Sequence, residues 1–168
     1  MEFAMKSILE LVKSDVKVSA HERFIVAKNF KKGNAGIYYL GGNFERLFCD
    51  KIEENVPSAT LSSHRLVQSS TLGPIKAELG EGHEIFLAWL FDKVESQANG
   101  RKGDLLVDGR TNIFYVDGCA VLARRGARDG WRIITEEISD PDGWFMGSRV
   151  FSRNLALESL ETPEPERV

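Results

Sequence analysis

From Asp104 onward the sequence breaks into short runs rich in Val, Ile, Phe and Tyr, each closed by a glycine-containing turn: DLLVDG, TNIFYVDG, CAVLARR, WRIITEEIS and GSRVFSRN. No other feature restricts the available folds as much. Runs of this length and composition read as strands. Asp117-Gly118 suits a two-residue hairpin turn, whose central positions both need positive φ, and GARDG suits a longer hairpin loop. The result is an antiparallel meander with an apolar face that something must cover.

The first hundred residues supply the cover. MKSILELVKSD carries a short helical stripe of Ile8, Leu9 and Val12. SAHERFIVAKNFKKG opens with Ser19 and Glu22 at capping-box spacing, which predicts a second helix ended by lysines and Gly33. GIYYLGG reads as a short strand, and Asn43 heads a third helix, FERLFCDKIEEN, stopped by Pro57. SATLSSHRLVQSST is a half-exposed strand, and GPIKAELGEG is a helical turn with proline at its first position. The clearest helix is HEIFLAWLFDKVESQANG, with Leu87, Leu90, Phe91, Val94 and Ala98 on one stripe. The expected class is therefore α+β: N-terminal helices packed on a mainly antiparallel β-meander formed largely by the C-terminal half.

With 168 residues and 42% apolar content there is material for one core and not comfortably for two. The expected domain spans residues 5–154. Met-Glu-Phe-Ala (1–4), ahead of a second methionine, reads as an expression scar, and 155–168, ending in alternating Pro and Glu, as a flexible acidic tail. Two cysteines, Cys49 and Cys119, are too few for a disulfide scaffold and read as reduced thiols. With no secretory signal and no apolar run long enough to cross a bilayer, the expected location is cytoplasmic, away from membranes.

The densest charge lies in the second hairpin. Arg124, Arg125, Arg128 and Arg132 fall within nine residues, beside Trp131. Taking GARDG as the loop sets Arg124 opposite Arg132 and Arg125 opposite Trp131. Like charges directly opposite each other are destabilising, so the pair needs either a neutraliser (Glu136 or Glu137) or a bound phosphate, sulfate or carboxylate, which arginine forks suit. Segment 101–132 carries seven basic and four acidic side chains, whereas the whole chain has net charge −3. A charged hairpin tip is the favoured reading of this cluster, an anion site comes second, and nucleic acid third, because one tryptophan is thin for a stacking platform.

Other motifs are weaker. LGGNF delivers a strand into a helix N-terminus but lacks the remainder of a P-loop or dinucleotide fingerprint, and DPDG is a fragment of a calcium loop. Both read as structural turns, so no cofactor and no metal are expected. His21, His64 and His83 have no ligand spacing. His64, in a polar strand, is the one that could join an acid/base site with Ser62 or Ser63. Ile85, Phe86 and Trp89 widen the apolar face of their helix nearly all round, which suits burial on two sides or a homodimer interface. Together these readings describe a binding or interaction module for a small anionic ligand or acidic partner, centred on Arg124, Arg125, Trp131 and Arg132 with His64. The alternatives are a small enzyme with an acid/base pocket on a concave sheet face, and a weak nucleic-acid binder.

Overall fold

The computed structural model describes residues 7–81, 83–126 and 129–154. The expected scar, the acidic tail and Arg128 lie outside the described residues. The centre is a seven-stranded mixed sheet built from both halves of the chain: β1 (Leu9–Val18), β3 (Ile37–Leu40), β5 (Ala59–Leu66), β6 (Thr111–Val116), β7 (Cys119–Gly126), β8 (Gly130–Glu137) and β9 (Arg149–Arg153), in the order β1-β5-β9-β6-β7-β8-β3. Two of its six pairings, β6 with β9 and β3 with β8, are parallel. A ribbon of β2 (His21–Ile25) and β4 (Ile52–Val56) stands apart. Four short helices, α1 (Val26–Asn29), α2 (Gly42–Phe48), α3 (Leu72–Leu79) and α4 (Leu87–Ser96), are interspersed between the strands.

The expected class is thus overturned: the protein is mostly sheet, not N-terminal helices on a C-terminal meander. The meander's two hairpins do form, from β6, β7 and β8. The errors lie ahead of it. Residues 9–18 form an edge strand against β5, because a three-residue helical stripe supplies less than the backbone hydrogen bonds and the buried pair Val16 and Val18. The β1–β5 ladder has two register irregularities, one on each side of Lys13. Ser19 and Glu22 cap nothing; the backbone N–H of Ser19 donates to Asp92 Oδ2 at 3.2 Å, and His21 begins β2. The third predicted helix ends at Phe48, and its second half turns over to become β4, paired with β2.

DLLVDG is not a strand either. Gln97 takes the place of a neighbouring strand, donating to Leu105 O (3.0 Å) and accepting from Leu105 N–H (2.9 Å), and the Asn112 amide does the same at Leu106. Side-chain amides thereby satisfy a buried loop whose backbone would otherwise be unpaired.

Both faces of the sheet are covered. One packs Val16, Leu61, Phe114, Val121, Trp131 and Phe151 against α1, α2, α4 and the β2–β4 ribbon. The other packs Ile113, Tyr115, Leu122 and Val150 against Leu72 and Ile75 of α3, with Ile134, Ile138 and Trp144 at its margin. Ile85 and Trp89 are buried in the first core, where the Trp89 indole donates to Pro57 O at 2.9 Å, and half-buried Phe86 meets Trp89 edge to face. Ile85 and Trp89 thus find their burial within a single chain, and Phe86 stays partly exposed. Glu53, on β4, is also buried and accepts from the N–H groups of Leu87 and Ala88 at the start of α4, both at 2.9 Å. Among the described residues no helix is long and apolar enough to cross a membrane.

Candidate functional site

The β7–β8 hairpin sets the geometry. Arg124 pairs with Arg132, Arg125 with Trp131, and Gly126 with Gly130. Alternate side chains of a strand leave on opposite faces, so the four described residues of the arginine cluster read from sequence, Arg124, Arg125, Trp131 and Arg132, separate into two groups. Trp131 is fully buried in the first core and donates its indole N–H to Gln97 O at 3.1 Å. Arg125 stacks over that ring, 5.8 Å from its centroid, and donates to Ala98 O just beyond α4. These two side chains belong to the packing between hairpin and helix.

Arg124 and Arg132 leave on the other face. They line a hollow of about 110 Å³ with Thr111, Leu122, Ile134 and Trp144. Thr111 is the cross-strand neighbour of Arg124 on β6. The Arg132 guanidinium lies 4.9 Å from the centroid of Tyr39 on β3, which fixes its position from the far side. Trp144 is pinned by two backbone hydrogen bonds with Ser70, of 2.7 and 3.1 Å. Its indole Nε1 is buried without a hydrogen-bond partner.

Among the described residues no carboxylate lies within ion-pair distance of Arg124 or Arg132. Glu136 and Glu137, the neutralisers considered from sequence, pair with Ala120 and Cys119 at the opposite end of the hairpin. Four strand steps take Arg132 to Glu136, about 13 Å. Two positive charges thus share a small hollow floored by Leu122 and Ile134. The hollow offers two arginine forks, one hydroxyl and one unpaired indole N–H. Its volume is several times a water's share of about 30 Å³ and below the roughly 150 Å³ of a cavity that holds benzene. Occupants of that size are an inorganic oxyanion or a short carboxylate.

His64 is elsewhere. It stands on β5, three strand spacings or about 14 Å laterally from β7, in a separate hollow of about 350 Å³ with Leu9, Leu11, Glu78 and Ser152. Burial holds its pKa below the ordinary histidine value, and its Nδ1 is buried without a hydrogen-bond partner. Glu78 is engaged by Ser7 Oγ and by the N–H groups of Ile8 and Leu9, each at 2.8 Å. His21 pairs with Asp92 at 2.9 Å, and His83 bonds Gly80 O. Among the described residues no three His, Cys, Asp or Glu side chains are grouped to hold a metal. Cys49 and Cys119 are free thiols whose pKa values are raised, chiefly by burial.

Sequence reasoning missed Thr111, Tyr39 and Trp144. Thr111 was within reach, because the Asp117-Gly118 turn fixes the β6–β7 register and hence the partner of Arg124. Tyr39 comes through a parallel pairing with β8 and Trp144 through a loop bridge to Ser70, both long-range and without local signature. Comparison with protein-family models, curated proteins and solved structures returns no match.

Proposed function

We propose that the protein is a binding module for a small anionic group (phosphate, sulfate or carboxylate) held between Arg124 and Arg132. The observation that carries this reading is the cross-strand arginine pair, unneutralised by any described carboxylate and set in a hollow with Thr111 and the unpaired Trp144 N–H. Opposed like charges cost stability, and an anion converts that cost into charge-assisted hydrogen bonds, the strongest kind arginine makes.

The test is thermal unfolding in phosphate against chloride at equal ionic strength, with Arg124→Gln as the contrast to general salting-out. Arg124 suits the substitution better than Arg132, which also holds Tyr39. At a hundredfold excess over Kd, a bound ion stabilises the native state by about 2.7 kcal/mol. The variant loses the phosphate-specific increment, and its phosphate-free stability rises by a few tenths of a kcal/mol, the scale of a cross-strand pair. A variant that keeps the parental phosphate response ends the clamp reading.

Less supports an acid/base enzyme centred on His64. Its imidazole is biased toward the neutral form and has a hollow beside it, but the nearby Glu78 is held by three other donors and does not orient the ring.

A further inference from the structure

One end of the sheet carries more arginine than the hairpin alone. With β6 and β9 running parallel, and β5 and β7 antiparallel to them, Arg65, Arg149, Arg110, Arg124 and Arg132 stand at the same end of five successive strands or strand approaches. A second hollow, of about 320 Å³, is lined by Arg65, Val67, Arg110, Met146 and Gly147. Arg65 and Arg149 pair on the first-core side of the sheet, whereas Arg124 and Arg132 leave on the other side, so the arginines wrap the sheet's end. The two hollows are linked through two stretches of chain. Arg110 lines one and Thr111 the other, while Trp144 and Met146 come from a single loop. Between Trp144 and Met146 sits Phe145, which is 80% exposed, with Met146 65% exposed.

A large aromatic left this open on the loop whose Trp144 and Met146 line the two hollows is not explained by the core. Nor are the arginines fully committed. Among the described residues Arg65 and Arg110 pair with exposed Glu10 and Asp108, and exposed pairs are weakly held. Arg149, on the strand between them, donates from Nη1 to Asp104 O at 3.3 Å and keeps a buried Nε without a partner.

From this juxtaposition we infer that the arginine end of the sheet binds single-stranded nucleic acid. Backbone phosphates lie in the two arginine hollows, and a base stacks on Phe145 between them. The inference rests on the anion reading of the Arg124–Arg132 hollow and extends it from one phosphate to a strand. Single-strand sites combine a basic track with aromatic faces that accept any base, and here arginines from several strands flank one exposed aromatic, Phe145. The chain's net charge of −3 does not oppose this, because a local track suffices. The aromatic that the sequence reading counted, Trp131, is buried on the other face, and the one that matters lies in the loop after β8.

The experiment is fluorescence anisotropy of the full chain with labelled twelve-nucleotide oligothymidylate and oligouridylate, the two arms separating DNA from RNA. It is run across a salt series beside the phosphate unfolding assay. Binding is expected to weaken with salt, and Arg65→Gln and Arg110→Gln each flatten the salt slope by roughly one. Phe145→Ala, at an exposed position, weakens oligonucleotide binding by roughly tenfold and leaves phosphate stabilisation unchanged. Phosphate stabilisation with flat anisotropy in both arms overturns the inference and leaves the small-anion module standing. Oligonucleotide binding indifferent to Phe145, Arg65 and Arg110 overturns it too, as does capture by phosphatidylserine vesicles in place of the oligonucleotide. Loss of both the phosphate and the oligonucleotide signals removes both readings.

Discussion

Glu136 sits partly covered on β8, and its pKa is pushed up to about 6 by burial and by the Asp140 carboxylate beside it. Since this folded value lies above the ordinary 4.5, the native state holds the proton more tightly than the unfolded chain. Between about pH 4.5 and 6 the native state therefore binds the larger number of protons, stability falls as pH rises, and above about 6 the whole penalty is present. Glu136→Gln is expected to raise the melting temperature at pH 7.5 and to leave it nearly unchanged at pH 4.5. The gain at the higher pH is on the order of 0.5 kcal/mol, because solvent screens most of the effect at a partly exposed site. Equal gains at both pH values would show that the carboxylate's charge is not the cause. The same residue marks what was legible in sequence at this scale. That Arg124 faces Arg132 follows from loop length alone, whereas the idle state of Glu136 toward them needs the full register, since one residue of slip alters every partner.

Among the elements, α4 depends most on a distant residue. Its first N–H groups have no capping side chain of their own and are satisfied by Glu53, reaching across from β4. Glu53→Gln keeps a single acceptor oxygen and turns an amide NH₂ toward a buried N–H, so about 2–4 kcal/mol of unfolding free energy is expected to be lost in urea titration. A loss below about 0.5 kcal/mol would mean that water reaches the helix start. This contact also explains why β2 and β4 were read as helices. IEENV has no apolar alternation, because its buried residues are Glu53 and, three positions on, Val56, and HERFI buries only Phe24 deeply. Each strand is recognisable only through the other. By contrast, α4, β6, β7 and β8 carry their own periodicity and turn residues and were readable directly, although the parallel joins that place β3 and β9 were not.

The whole molecule shares a single sheet between two cores, and that arrangement ties their stabilities together. Trp89 and Trp131 report on one side and Trp144 on the other. Strands β6 and β7 contribute alternate residues to both, so neither side can open without losing the ladder that the other needs. Tryptophan fluorescence and far-ultraviolet circular dichroism should therefore trace one coincident unfolding transition. Two separated transitions would show the cores to be independent. Composition had bounded the chain to one core's worth of apolar residues. It could not reveal that these residues would be divided between two faces, because single residues of β6 and β7 read the same whichever face they serve.

The irregular β1–β5 ladder bears on solubility. β1 is an outermost strand with Leu11 and Val12 exposed, so its outer backbone groups form a potential template for recruiting further chains. The register shifts on either side of Lys13 interrupt that template within a few residues, and bulges that twist an edge away are a known defence against edge-to-edge growth. Deleting Val12, the extra residue between Leu11 and Lys13, straightens this stretch while removing one exposed apolar side chain. Lower surface hydrophobicity would argue for less clumping and a smoother edge for more. Light scattering at moderate heating is expected to rise in the deletion variant, making the kink, rather than polarity, the guard on this flank of the protein.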